Sequence, residues 1–133
     1  DWIIKVRNDV PDAPVLVTAG GLLHYFEENK VISLLRMIGQ SGNMEVVFDT
    51  VNKKGMAMMQ KKYMKQVGHA DAQMFFYVDA AKELAAKIRG NVKVIAEEPY
   101  YRYIPKNGLK LSTKVSMAVS DQFKMVKMIH LKL

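Results

Sequence analysis

The sequence predicts an α/β protein built on a largely parallel sheet, and three observations carry that prediction. Val15-Leu16-Val17-Thr18-Ala19 and Met44-Glu45-Val46-Val47-Phe48-Asp49 are short β-rich runs with little polar alternation, the composition of strands buried on both faces. Between them Val31, Leu34, Leu35 and Ile38 recur at i, i+3, i+4 and i+7, one apolar stripe of an amphipathic helix. The connections are short, so strand, helix, strand and helix follow one another as in right-handed crossover units.

Taken in order, Asp1-Trp2-Ile3-Ile4-Lys5 leads within a few residues into what reads as a core strand, an abrupt start that suggests a fragment. Pro11-Asp12-Ala13-Pro14 is a turn feeding the first strand, and Gly20-Gly21 stops it. A helix from about Glu27 to Ile38 opens with Glu27 and Glu28 at its positive dipole end, and Gly39 and Gly42 supply its stop. The second strand ends on the Asp49 carboxylate. Lys54 to Val67 is expected to be helical, with Met56, Met59, Tyr63 and Met64 among lysines. Asp79 is the expected N-cap of a helix over Ala80 to Arg89, with Ala81, Leu84, Ala85 and Ile88 buried and Gly90 at the C-cap. Val92 to Ala96 reads as a third strand, Pro99 to Thr113 as an irregular aromatic excursion, and Leu111 to Val119 as a helix. Ser120-Asp121-Gln122 suits a tight turn before a strand-like tail, Phe123 to Leu133, with Phe123, Met125, Ile129, Leu131 and Leu133 on alternate positions.

Composition narrows the function. The 133 residues are one domain's worth, and half are apolar, enough for a real core. No apolar run approaches the eighteen or so residues of a membrane span, and the first residues lack the order of a secretory signal, so a cytoplasmic protein with no membrane partner is expected. The absence of cysteine excludes disulfides, thiolate metal sites and a cysteine nucleophile. His24, His69 and His130 are far apart with no His-x-x-x-His spacing, so no metal site is expected. A net charge of +7 invites nucleic acid, but the lysines are scattered as singles and short pairs (Lys53-Lys54, Lys61-Lys62), the distribution of a solvated surface.

Pro14 to Phe26, the run Pro-Val-Leu-Val-Thr-Ala-Gly-Gly-Leu-Leu-His-Tyr-Phe, resembles the segment around the fourth strand of a methyltransferase family. That family includes the leucine carboxyl methyltransferases and the tetracenomycin-type polyketide O-methyltransferases. Asp1-Trp2 resembles the end of the segment after its third strand, Val46 to Asp49 its fifth strand, Val92 to Ala96 its sixth and Lys124 to Leu133 its antiparallel seventh. The resemblance covers nearly the whole chain. It implies the C-terminal half of a Rossmann-like seven-stranded sheet of order 3-2-1-4-5-7-6, with strands 4, 5, 7 and 6 present. The family's glycine-rich turn and its ribose-binding acid would lie upstream. It further implies S-adenosylmethionine as cofactor and, as acceptor, a hydroxyl or carboxylate of a small molecule such as a polyketide, with the isolated half inactive.

On that resemblance Asp1 and Trp2 would lie near the adenine, and Ala19, Gly20, Gly21 and Leu22 would form the remaining cofactor wall, where small residues let backbone approach a ligand. His24 and Tyr25 would stand beside the methyl-transfer site, His24 as a possible base. Gly20 stands where many members carry Glu, which removes a charge from that wall. Plainer readings stand beside each of these: His24 as a capping or packing residue, Tyr25 as a core aromatic, Gly20-Gly21 as a simple turn, Asp49 as a cap. Met56, Met58, Met59 and Met64 would pack in a core or interface, and Tyr100, Tyr101 and Tyr103 would pack rather than form a lid. A non-enzymatic α/β interaction domain or a basic nucleic-acid-binding protein are the alternative functions. Strand 15–19 would lack its usual neighbour, leaving one edge and both apolar faces exposed, so self-association through that edge is expected.

Overall fold

A computed structural model describes residues 1–67 and 73–133 of the chain, with the side chains of 63–67 left aside. His69 and the side chains of Tyr63 and Met64 therefore lie outside the described residues. Helix α1 (Trp2–Asp9) leads into strand β1 (Val15–Ala19), a 3-10 turn (Leu23–Tyr25), helix α2 (Glu28–Gln40) and strand β2 (Met44–Val51). Helices α3 (Lys53–Val67) and α4 (Ala81–Ile88), strand β3 (Lys93–Pro99), helix α5 (Leu111–Gln122) and strand β4 (Val126–Lys132) complete the chain. The sheet order is β1-β2-β4-β3; β1 and β2 are parallel, and β4 is antiparallel to both its neighbours. This is a partial Rossmann-like α/β fold, with the order and polarity expected of strands 4, 5, 7 and 6.

One face of the sheet carries the core. Met44, Val46 and Phe48 of β2 and Ile129 and Leu131 of β4 are buried against Val31, Leu35 and Ile38 of α2 and Ala81, Leu84 and Ile88 of α4. At about 1.5–3 kcal/mol for each large side chain, this face supplies most of the folding drive. The opposite face is not covered in the same way. Glu45, Val47, Asp49, Met128 and His130 are only half-buried there, and Leu16, Thr18 and Lys132 are exposed. Burial of β2 thus alternates along most of its length, where its apolar run predicts cover on both faces. For β1 the expected exposure of both faces is corrected on one side: Val15, Val17 and Ala19 pack against the helices, and Leu16 and Thr18 remain open. Its outer edge has no partner strand among the described residues.

Several expectations give way to side-chain chemistry. The first residues form a helix, not a strand, because the Asp1 carboxylate accepts from the Ile3 amide at 2.9 Å as an N-cap. Arg7 then anchors that helix. Its guanidinium donates to the carbonyls of Val10, Ala13, Ser41, Gly42 and Asn43, tying α1 to the turn between α2 and β2. Bonds from a charged donor are each worth about 1.5–3 kcal/mol, and a lysine cannot reproduce the planar fork. Arg7→Ala is expected to cost about 2 kcal/mol in urea unfolding and Arg7→Lys to recover less than half of it; an unchanged midpoint for Arg7→Ala would refute the anchor.

Helix α2 runs past Gly39, whose role is close approach: a Cβ there would sit 3.2 Å from the Leu133 Cβ. The stop comes from Gly42 and Asn43, at φ of +72° and +46°. Ser120-Asp121-Gln122 is the last turn of α5, not a hairpin, and the reversal falls at Lys124 with φ +49°. Phe123 and Met125 consequently precede the last strand. Strand β3 extends to Pro99, three residues beyond its expected end, because Glu97, Glu98 and Pro99 pair with Ile129, Met128 and Lys127.

Asp79 does not cap its own helix. Its carboxylate accepts from the Lys53 amide at 2.9 Å and so caps α3, while the first amide of α4, Ala81, donates to Glu97 Oε2 at 3.0 Å. Between these caps lies Lys127, 1 % exposed, with its ammonium donating to the Asp79 carbonyl and to Glu97 Oε1, both at 2.7 Å.

Candidate functional site

The carboxyl ends of the parallel strands open into a cleft of about 440 Å³, lined by His24, Asp49, Thr50, Lys62, Tyr100 and Tyr101 among others. Strand endings deliver most of these residues: His24 follows β1, Asp49 and Thr50 close β2, and the tyrosines follow β3, while Lys62 reaches in from α3. This is the end of an open α/β sheet at which ligands bind.

The loop after β1 is held from β2. Gly21, at φ +63°, donates its amide to Asp49 Oδ1 at 2.6 Å. A Cβ added at Gly20 or Gly21 would meet nothing within 4 Å, so this backbone faces open space. Glycine is needed at 21 for its left-handed conformation, and both glycines leave the main chain approachable. Asp49 thus fastens the loop across the strand ends, a bond between positions 28 apart that no local spacing announces.

His24 sits in the 3-10 turn with only 9 % of its surface exposed. Its carbonyl accepts from the amides of Phe75 and Phe76 at 2.8 and 3.3 Å, which fixes the turn. Tyr25 lies against the imidazole, ring centroids 4.3 Å apart and tilted by 52°. Burial pushes the His24 pKa below its ordinary value, and the nearby Asp49 carboxylate opposes this only in part. The imidazole is therefore neutral near pH 7 and able to accept a proton.

That shift has a sign in stability. A histidine with a lowered folded pKa binds fewer protons folded than unfolded, so its contribution is complete above pH 6.5 and lost as the pH falls through the folded value. Urea midpoints measured from about pH 7.5 down to 5 should fall more steeply in the parent than in His24→Gln. Equal slopes would show that the imidazole is not held neutral.

The structure brings only some of the expected site residues together. His24 lines the cleft, and Gly21 is bonded to Asp49 at its wall, with Ala19 and Gly20 in the same strand end and loop. Leu22 is half-exposed beside them. Tyr25 touches His24 but is 41 % exposed and does not line the cleft. Asp1 is engaged as a helix cap and Trp2 stands half-exposed on α1; neither lines the cleft. Tyr100 and Tyr101, expected to pack, do line it, in edge-to-face contact at 5.1 Å, whereas Tyr103 projects into solvent. Of the methionines, Met56 is core, Met59 lines the cleft and Met58 is exposed. Lys62 also reaches the cleft, and sequence counts it as one more surface lysine. Among the described residues no cluster of three or more His, Asp or Glu side chains could hold a metal, and no helix is long and apolar enough to cross a membrane.

Fold and cleft together define a partial Rossmann-like sheet with a ligand-sized opening at its strand ends. No family model matches the sequence, and no curated protein matches it. A solved structure does: a DUF574 family protein from Streptomyces avermitilis is similar over 99% of this chain and 52% of its own, at 10% identity and a TM-score of 0.58. The chain spans about half the length of that protein. At this identity the likeness is one of fold.

Proposed function

We propose that this chain is the C-terminal half of an S-adenosylmethionine-dependent O-methyltransferase. The observation that carries the reading is the Gly20-Gly21 loop, its backbone facing open space and clamped by Asp49 beside a neutral His24. The sheet order and the antiparallel β4, both implied by the sequence resemblance, support it.

The residues present fit one side of such a cofactor: Ala19, Gly20 and Gly21 offer backbone with little bulk, and Leu22 adds a half-exposed apolar side chain. Bound there, S-adenosylmethionine would supply an electrophilic methyl whose bonding pair stays on sulfur as the new carbon–oxygen bond forms. His24 takes the proton of a hydroxyl acceptor; a carboxylate acceptor, already ionised, needs no base. Tyr25, outside the cleft, acts on the orientation of the imidazole and is a positioning residue. Asp49 keeps the loop in the conformation that a ligand meets. Since displacement at a methyl group depends on alignment, these positioning contacts carry most of the protein's part.

Calorimetric titration with S-adenosylmethionine, on the 133 residues and on the complete translated product, tests the reading. Binding by the complete product that His24→Gln leaves intact, with methyl transfer to a hydroxyl reduced at least a hundredfold, is the expected result. Absence of binding by either sample would refute it.

A further inference from the structure

A second cavity continues from the cleft. A groove of about 330 Å³ runs between α3 and α5, with Met58 and Met59 on one wall, Val115 and Val119 on the other and Met125 below. Met59, Lys62 and Val126 line both cavities, so the two adjoin at these residues.

The groove has the chemistry of a binding surface. Met58, Val115 and Val119 are 59 %, 54 % and 44 % exposed, so the core does not account for them. Val115 and Val119 are one helical turn apart and present a single apolar strip. The opposite wall is methionine, unbranched and polarizable, which adapts to ligands of varied outline. Beneath, the helix backbone is seated: a Cβ on Gly55 would come within 2.5 Å of the Met125 carbonyl oxygen. A pliable wall on a fixed base suits recognition of an apolar body. At the junction of the cavities stands Lys62, which forms no ion pair among the described residues.

We infer that the groove holds the apolar body of an amphiphilic small molecule, a ring system or chain bearing one anionic group that Lys62 meets. A ligand seated in this way reaches into the cleft beside His24. Its identification as the methyl acceptor rests on the proposed function; the groove as a site for an apolar anion does not.

Anilinonaphthalene sulfonate, an apolar ring system with one anionic group, is a suitable probe for fluorescence titration of the chain. Saturable binding of one molecule per chain is expected, weakened at least tenfold by Val119→Glu and by Met58→Glu on the facing wall. Lys62→Glu should weaken it severalfold while Lys62→Arg does not. Leu16→Glu, at the far edge of the sheet, should leave it unchanged, and circular dichroism confirms that each variant folds. Binding insensitive to both groove substitutions, or abolished by Leu16→Glu, overturns the inference. So does a change in sedimentation with Val119→Glu without a change in dye affinity, which makes the groove a self-association surface. The parallel titration with S-adenosylmethionine separates the two proposals. Groove binding without cofactor binding leaves this inference standing and removes the methyltransferase; the converse removes the groove alone.

Discussion

Lys127→Ala is expected to cost about 3–5 kcal/mol, a large share of the roughly 5–15 kcal/mol that holds a domain together. The side chain is 1 % exposed and both of its contacts, at 2.7 Å, are to groups that cap helices or position caps. Removing it leaves Glu97 facing the space without its counter-charge and the Asp79 carbonyl without a donor. The Ala81–Glu97 and Lys53–Asp79 caps then lose their brace. Urea unfolding measures the loss. The double substitution Lys127→Met with Glu97→Gln should recover at least half of it, since a pair removed together leaves no orphaned charge. If Lys127→Ala unfolds at the parental midpoint, the network is not structural. The pair also has a pH signature. Burial pushes the Glu97 carboxyl up, but the Lys127 hydrogen bond, the Ala81 amide and the charges of Lys127 and Lys124 outweigh it, and the net shift is downward. Its contribution is therefore full above about pH 4.5 and lost as the pH falls through the lower folded value.

The second large effect concerns association. Among the described residues strand β1 ends the sheet with an unpaired edge, and Leu16 and Thr18 stand exposed on its open face. An uncapped edge of five extended residues is a template for another strand. Sedimentation of the 133 residues should show concentration-dependent association, and Leu16→Lys with Thr18→Lys should reduce it at least tenfold by placing charge along the edge. A parent that stays monodisperse and monomeric over the same range would refute this.

What sequence reveals of this fold is decided by how local each cause is. The apolar runs of β1 and β2 and the stripe of α2 are properties of neighbouring residues, so those elements stand where the pattern puts them. Caps are a different matter. Asp79 precedes α4 and has the right chemistry for its N-terminus, yet it serves α3, because the folded chain brings Lys53 to it. Trp2-Ile3-Ile4 has strand-like composition, and a single carboxylate at Asp1 with a distant set of carbonyls around Arg7 makes it helical instead. Lys127 shares the alternation of Ile129 and Leu131, but its charge hides its membership of the core until Glu97 is seen beside it. The candidate site follows the same rule. Gly20, Gly21 and His24 lie within five consecutive residues and could be picked out together. Asp49, Tyr100 and Tyr101 join them only through the order of the strands, which no stretch of sequence carries alone.

Strand β4 lies between β2 and β3, although it is the last of the four to be synthesised. During translation β3 must wait beside an empty lane, because the strand that joins it to β2 has not yet left the ribosome. Until residues 126–132 emerge, β2 has one paired edge instead of two. Sheet closure is thus a single late event, and a ribosome stalled even a few codons before it holds a chain with its strand edges bare, the kind of nascent species on which chaperones act.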